Sequence, residues 1–406
     1  MNVTPEQRLT QREPQAQNLW TEADEVAAAA VGLPGARTLL DSTALSTLLG
    51  SPARITRVRI KTGHSVVAAF ETDDGERSWA MLTVDANKLV KARQRARDFP
   101  EAGSFSVHSE RGAYLFSGTM MGDPVLAKDL REARRALDSA VGQPAPWRVL
   151  RYNPRRRVVA AVPASSAGHG EKIIRVSPAG TAAALDAAQR WRSLGLPVVR
   201  SSALGKRGTA MSAPLWGWTD LSHAPHTPAA VTAGEAIGQL HQRTLGARRN
   251  LLAVELPRTV KAVASIAPWL AVETQGLRTQ LQSRLPRMGM TPLVELHGDL
   301  SPDQIVMAAP ESHKIRLIDF DRSGSGDPAR DVGSWVASCR RLGCESLIDA
   351  FLSGYEEHFV LDQSRVAVWE AYAHLAAATE PFRLRSTDWP ALMQRSIRLA
   401  QETLDR

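Results

Sequence analysis

The chain has 406 residues, 43% hydrophobic and 23% charged, with a net charge of +8; that is a globular composition with length enough for two or three lobes. No apolar run approaches the roughly 18 residues of a membrane helix, the leading MNVTPEQRLTQREPQAQ has no apolar signal core, and Cys339 and Cys344 do not form a CxxC pair, so a reducing, cytoplasmic setting without membrane partners is expected. The basic surplus is scattered, with its main cluster at Arg155-Arg156-Arg157, and no helix-turn-helix, zinc-finger or aromatic RNP pattern accompanies it, so a nucleic-acid partner is not expected.

In chain order, the first feature is a weak internal repeat at an offset of 92 residues. VRIKTGHSVVAAF (58–70) aligns with LRYNPRRRVVAAV (150–162), matching Arg59 to Arg151 and Val66-Val67-Ala68-Ala69 to Val158-Val159-Ala160-Ala161. Each copy reads as a strand, a turn and a β-branched strand, followed by a third candidate strand, ERSWAMLTV (76–84) in one and EKIIRV (171–176), after the loop ASSAGHG, in the other. Two three-stranded antiparallel units are therefore expected, with the Arg155–Arg157 turn facing solvent. TAAALDAAQRWRSLGL (181–196) places Leu185, Ala188, Trp191 and Leu194 at helical spacing and Gly195 at its stop. TAMSAPLWGWTDL (209–221) is a strand and a Pro/Gly connector, and AVTAGEAIGQLHQRTL (230–245) opens a helical region that runs to the end. Strands first and helices afterwards is an α+β order with segregated lobes.

Chemistry concentrates at 293–333. LVEL (293–296) reads as a strand feeding HGDLSPDQ, a loop that exposes Asp299 and returns with Gln304; IRLIDF (315–320) reads as a strand that delivers Asp319 at its end. The two strands are expected to pair with each other. A carboxylate beside an attacking hydroxyl, with carboxylate and amide oxygens nearby for a divalent cation, is what phosphoryl transfer asks of a protein.

HGDLSPDQIV followed by LIDFDRSGSGDPARDVGSW resembles the HGDxxxxN and IDxxxxxxGDPxxDxA pair of the aminoglycoside phosphotransferase and choline kinase-like family, a small-molecule branch of the protein-kinase-like fold. The resemblance implies a bilobal α+β protein, with an antiparallel-sheet N-lobe and hinge at 146–222, a mainly helical C-lobe at 223–406, and an extra N-terminal α/β segment at 1–145 that caps the site or duplicates the sheet. It implies transfer of the γ-phosphate of ATP or GTP, with Mg²⁺, to a hydroxyl of a small molecule such as a sugar, aminoglycoside or amino alcohol. Asp299 would be the catalytic base, Gln304 and Asp319 the metal ligands, and His297, Asp327 and Asp331 supporting braces. Gln304 stands where the family usually has Asn, as it does in maltokinase-like and glucosamine kinase-like relatives, which also carry an extra N-terminal region. Glu370, Tyr372, His374, Glu380 and Arg383 are candidate acceptor contacts.

Two departures concern the nucleotide side. The third strand of the family's sheet carries a Lys that contacts phosphates and pairs with a helix Glu; here the position falls on Arg175, with Lys172 as the alternative on the opposite face. In the first unit it falls at about Met81, and the helix at 181–194 offers only Asp186 as an acid. Arg keeps the charge but not the geometry of Lys. The absent pair also admits a pseudokinase-like binding or scaffold role.

Overall fold

The computed structural model describes residues 20–109, 112–141, 146–163, 170–287 and 292–406; the leading segment and all but the last residue of the ASSAGHG loop lie outside them. Helix α1 (Glu22–Val31) starts on a capping box between Thr21 and Asp24, and α2 (Ser42–Leu49) starts on the Asp41 side chain. Strands β1 (Ala53–Lys61), β2 (Ser65–Thr72), β3 (Arg77–Thr83), β4 (Phe105–Ser109) and β5 (Tyr114–Thr119) form a five-stranded antiparallel sheet in the order β1-β2-β3-β5-β4, with α3 (Ala86–Asp98) between β3 and β4.

After α4 (Ala127–Val141), the same pattern recurs. Strands β6 (Arg148–Asn153), β7 (Arg157–Pro163), β8 (Glu171–Val176), β9 (Ser202–Leu204) and β10 (Ala210–Pro214) form a sheet in the order β6-β7-β8-β10-β9, with α5 (Ala182–Ser193) between β8 and β9. The register repeats as well: Arg59 lies opposite Val67 and Arg151 opposite Val159, while Met81 lies opposite Val67 and Arg175 opposite Val159. The repeat is therefore a duplicated sheet, and Met81 is the counterpart of Arg175. Each unit has five strands rather than the expected three, because the last two lie beyond the helix, where β9 is short and β4, FSVHS, carries three polar residues.

Alternation decides how the sheets stack. Val67, Ala69, Trp79, Met81 and Phe116 of the first sheet share one core with Tyr152, Val158, Ile174 and Val176 of the second, together with Leu89 and Ala92 of α3, Leu126 just before α4, and Leu130 and Ala133 of α4. The other face of the first sheet, with Val66, Ala68, Phe70, Ala80 and Leu82, belongs to a second core shared with α1, α2 and the helical region. A buried ion pair helps to close that junction: Asp24 accepts from Arg385 Nη2 at 2.7 Å and from Trp389 Nε1 at 2.9 Å.

The helical region contains β11 (Thr219–Asp220), α6 (Thr227–Arg243), α7 (Leu256–Ala264), α8 (Ala271–Arg287), β12 (Val294–Leu296), β13 (Ile305–Met307), β14 (Ile315–Leu317), β15 (Gly324–Gly326), α9 (Ala329–Leu342), α10 (Ser346–Glu356), α11 (Gln363–Ala377), the short α12 (Glu380–Arg383) and α13 (Trp389–Asp405). Helices α6 and α10 cross through glycines, since a Cβ on Gly234 would lie 2.0 Å from the Phe351 carbonyl. Cys339 and Cys344 are both buried and unbridged. Among the described residues no helix is long and apolar enough to cross a membrane.

One expected pairing fails. The strand in LVEL pairs with β15, whose Gly326 leaves room for the Leu296 side chain, and β14 pairs with β13. The turn Pro302–Gln304 reverses the chain at once, so the apolar Ile305-Val306-Met307 run takes the place beside β14 that was expected for β12.

Candidate active site

The loop between β12 and β13 is fixed from below. His297 is buried, donates its backbone N–H to Asp331 Oδ2 at 2.7 Å, and places Nε2 2.9 Å from the Ile318 carbonyl, which accepts its proton. Gly298 has φ +79° and donates to Asp331 Oδ1 at 2.8 Å; a Cβ there would sit 2.0 Å from the Arg322 carbonyl, so only glycine fits. Burial alone would raise the Asp331 carboxyl, but the hydrogen bond and charge of His241, together with His297 and the Gly298 amide, hold it below its ordinary range. Asp327 accepts from the Ala329 N–H at 3.0 Å, in the first turn of α9, and from Arg365 Nη2 at 2.6 Å. Both carboxylates are thus occupied in bracing the loop and the helix.

Above that brace, Asp299 projects with 46% of its side chain exposed and accepts from Arg322 Nη1 at 3.0 Å. Gln304 is buried; its backbone carbonyl accepts from the Ile318 N–H at 3.1 Å, and its side-chain Nε2 donates to Asp303 at 3.4 Å. That backbone bond sets Gln304 beside Asp319, the residue after Ile318. Asp319 adopts a left-handed backbone with φ 62°, a conformation that non-glycine residues tend to hold only where surrounding structure enforces it.

The second sheet supplies the opposite wall. Arg175, on the face of β8 that does not enter the inter-sheet core, donates from Nη1 to Asp319 Oδ1 at 2.9 Å, and its Nη2 contacts Asp321. Arg157, at the start of β7, donates to Asp321 Oδ2 at 2.8 Å and lies 3.6 Å from Asp319 Oδ2. Burial is the main reason that the Arg175 guanidinium is pushed down to about 10; the neighbouring Arg157 adds to the effect and Asp319 opposes it. Burial would raise the Asp319 carboxyl, but Arg157 and Arg175 hold it below its usual range. Lys172 lies three residues earlier, opposite Val162 and Pro214, on the other face by alternation.

Helix α5 turns Trp191 rather than an acid toward the site: its ring packs 5.1 Å from Phe320 and its Nε1 donates to Glu295 at 2.7 Å. Asp186 is outward and pairs with Arg190. The structure thus brings Asp299, Gln304, Asp319 and Arg175 to one cleft, with His297, Asp327 and Asp331 beneath it, and leaves Lys172 on another face. Glu370 and His374 are interior, the former bound by Arg340 at 2.9 Å, so they do not form an acceptor wall. Arg157 and Asp321 were missed from sequence, and the expectation of a solvated Arg155–Arg157 turn fails for Arg157. The available signal was the second acid in IDFD, spaced to meet an arginine beyond Asp319. A groove of about 580 Å³ between α5 and residues 200–203 contains none of these side chains.

Residues 164–375 match the phosphotransferase enzyme family (APH). The chain belongs to this family. Among solved structures, the phosphotransferase is similar to a microcompartment-associated aminopropanol kinase at 17% identity and a TM-score of 0.51, over 68% of this chain and 95% of that one. It is similar also to an amicoumacin kinase in complex with AMP-PNP, Ca²⁺ and Ami, at 16% identity and 0.50, over 63% and 88%. A third likeness is a thermostable aminoglycoside phosphotransferase mutant with ADP and hygromycin B, at 12% and 0.50, over 66% and 98%. At these identities the likeness establishes the fold, the bilobal protein-kinase-like one. No curated protein matches the chain. Family and fold make it a small-molecule phosphotransferase of the aminoglycoside and choline kinase type.

Proposed function

We propose that this phosphotransferase moves the γ-phosphate of ATP or GTP to a hydroxyl of a small molecule, in the cleft between the second sheet and the helical lobe. The observation that carries the reading is the meeting of Arg175 and Asp319 at 2.9 Å, a cation from the sheet and a carboxylate from the helical lobe on the two walls of one cleft that Asp299 enters from the adjoining loop. Asp299 accepts or orients the acceptor's hydroxyl proton. Its present partner, Arg322, lies mostly in solvent and is free to swing away.

The donor set suits a magnesium ion. Gln304 and Asp319 offer an amide and a carboxylate oxygen, both hard ligands, and Mg²⁺ is commonly held by one or two protein oxygens plus waters and substrate phosphates. When bound there, Mg²⁺ neutralises charge on the β- and γ-phosphates. Arg175 and Arg157, which now face Asp319 and Asp321, turn their guanidinium groups to the phosphate oxygens. Arg175 is assigned this role ahead of Lys172 because it alone of the two faces Asp319. Residues 1–145 act as a cap built on a copy of the sheet, 146–222 as the nucleotide lobe and hinge, and 223–406 as the catalytic lobe.

The test is Asp299→Asn assayed with Mg²⁺ and ATP or GTP over sugars, amino alcohols, aminoglycosides and their acidic derivatives. We expect loss of turnover of 1,000-fold or more, on the order of 4 kcal/mol in the barrier, with a melting temperature within a few degrees of wild type. Turnover that survives the change removes Asp299 from the chemistry, and an equal loss of stability makes it a structural residue. Failure of the wild-type protein to bind either nucleotide leaves the fold serving as a binding module.

A further inference from the structure

Arginines from three separate parts of the chain come within electrostatic reach of one another beside the pair that Arg322 makes with Asp299. From the first sheet come Arg57 and Arg59, two residues apart on one face of β1. Arg57 Nη2 lies 3.0 Å from Glu380 Oε2, and Arg383 Nη1 lies 3.3 Å from Glu380 Oε1, so α12 and β1 share one carboxylate between two guanidiniums. The Arg59 side chain makes no hydrogen bond or ion pair among the described residues and is only partly buried.

From the second sheet comes the β6–β7 turn. Buried Asp123 holds that turn rigidly: it accepts from the Arg155 N–H at 2.7 Å and from Tyr152 Oη at 2.9 Å. Arg155 has φ 63° and lays its guanidinium against Met81 Sδ at 3.7 Å. Arg156 donates its backbone N–H to the Asn153 carbonyl at 3.0 Å, and its side chain is left exposed without a hydrogen-bond or ion-pair partner among the described residues. Its neighbour Arg157 is anchored on Asp321, and the next residue, Arg322, reaches Asp299 at 3.0 Å. One contiguous path therefore runs from Arg156 to the candidate base.

The charges act on one another as a group. Arg59 is pushed down to about 10, first by burial and then by Arg156 and Arg155, with Asp123 opposing; Arg156 is lowered first by burial and then by Arg383, Arg258 and Arg322. Arg330, which stacks on Trp369 and Tyr372, and Arg341 both lie within electrostatic reach of Asp299. The acids Asp303 and Asp220 lie on the Gln304 side of Asp299, Asp303 being adjacent to Gln304 in the chain and hydrogen-bonded to it. Such a concentration of like charge is costly unless an anion relieves it.

We propose that this arginine rim binds an anionic group of the acceptor, so that the substrate is a hydroxylated anion bearing a phosphate ester or a carboxylate rather than a polycationic aminoglycoside. The proposal rests on the phosphotransferase reading and supplies a purpose for the duplicated sheet, which contributes Arg57 and Arg59 to the rim. Fixed guanidiniums suit either oxyanion, because their planar fork matches both. Transfer itself stays as above: the acceptor oxygen bonds to the γ-phosphorus as the bond to the β-phosphate oxygen breaks, and the hydroxyl proton goes to Asp299.

The experiment uses the full chain without nucleotide, titrated calorimetrically with glucose 6-phosphate, gluconate, glucose and kanamycin, and then repeated on Arg59→Gln and Arg156→Gln. We expect one or both anions to bind, with affinity falling steeply as salt rises above about 0.1 M, and glucose and kanamycin to bind far more weakly. Each variant should weaken the anion about tenfold, while binding of the Mg²⁺ complex of AMP-PNP stays at the wild-type value. Preference between glucose 6-phosphate and gluconate tells phosphate from carboxylate. Equal or better binding of glucose or kanamycin, no binding of either anion, or wild-type anion affinity in both variants overturns the proposal. Turnover onto neutral or cationic alcohols alone leaves the phosphotransferase reading standing and sinks this one. Anion binding without any nucleotide binding does the reverse.

Discussion

In the first sheet, the face that carries Met81 is shut: Trp79 and Phe116 meet edge to face at 5.8 Å beneath Met81, and α3 and α4 close over them. In the second sheet, the equivalent face carries Arg175 and opens onto Asp319. Strand order, helix position and central register are the same in the two. What separates a filled copy from a working wall is thus a few side chains on one face and the element that covers them. An apolar residue in the third strand lets a core form, whereas a guanidinium there demands a carboxylate or phosphate in front of it. The duplication also stacks the copies in sequence, with the shut face of the first against the back of the second. The first sheet therefore supports the second from the side away from Asp319.

The comparison breaks most severely where the first copy is tied to the helical lobe. Asp24→Ala leaves Arg385, which is 6% exposed, without the carboxylate it now meets at 2.7 Å, and removing one member of a buried pair costs about 3–5 kcal/mol. Urea unfolding should show a midpoint shift of that size. A loss below about 1 kcal/mol would mean that the first sheet docks by apolar packing alone. The pH dependence follows the same pair. Burial raises the Asp24 carboxyl, but Arg385, Thr21 and Trp389 hold it below its ordinary value. The folded state therefore binds fewer protons than the unfolded one, so this stability is complete above about pH 4 and drains away as pH falls through the lowered value. The variant should lose that acid limb.

A smaller effect tests the difference between the copies directly. Arg175→Met gives the second sheet the residue that the first already tolerates, so the fold should persist with a melting temperature within a few degrees of wild type. kcat/KM for the nucleotide should fall about 100-fold, the usual order for losing one charge-stabilising donor, and Arg175→Lys should recover part of it. Wild-type kcat/KM in Arg175→Met would show that Arg157 alone faces the phosphates.

What the sequence disclosed follows from the range of the interactions. Period-two alternation on two short apolar strands was enough to align Met81 with Arg175. Asp299, Gln304 and Asp319 were expected to converge through pairing of the LVEL and IRLIDF strands; Gln304 instead reaches Asp319 through the β13–β14 pair and the Ile318 N–H bond to the Gln304 carbonyl. The strand β12 was paired wrongly because hairpin logic favours the nearest strand, and a tight turn at Pro302–Gln304 created a nearer one. Arg157 on Asp321 and Asp24 on Arg385 join residues 164 and 361 positions apart. Nothing periodic announces such pairs, for each is chosen by which surfaces happen to meet once the sheets have stacked.

The smallest expected effect concerns Gln304, where the family usually carries Asn. The backbone here is held on both sides, by Gln304 N–H to the Ser301 carbonyl at 3.0 Å and by the Ile318 N–H to the Gln304 carbonyl at 3.1 Å, so the loop has little freedom to move toward a shorter side chain. An Asn amide oxygen would end about 1.5 Å short, one carbon–carbon step, whereas Mg²⁺ requires its oxygens at about 2.0–2.1 Å. Gln304→Asn, although it restores the commoner residue, should therefore lower kcat about tenfold and raise the Mg²⁺ concentration needed for half-maximal turnover. Stability should change little, because the side chain's one hydrogen bond, to Asp303, is long at 3.4 Å. An unchanged Mg²⁺ requirement would remove Gln304 from the metal shell. A rise in activity would mean instead that the loop reaches the ion by a backbone shift and that the longer amide is the compromise.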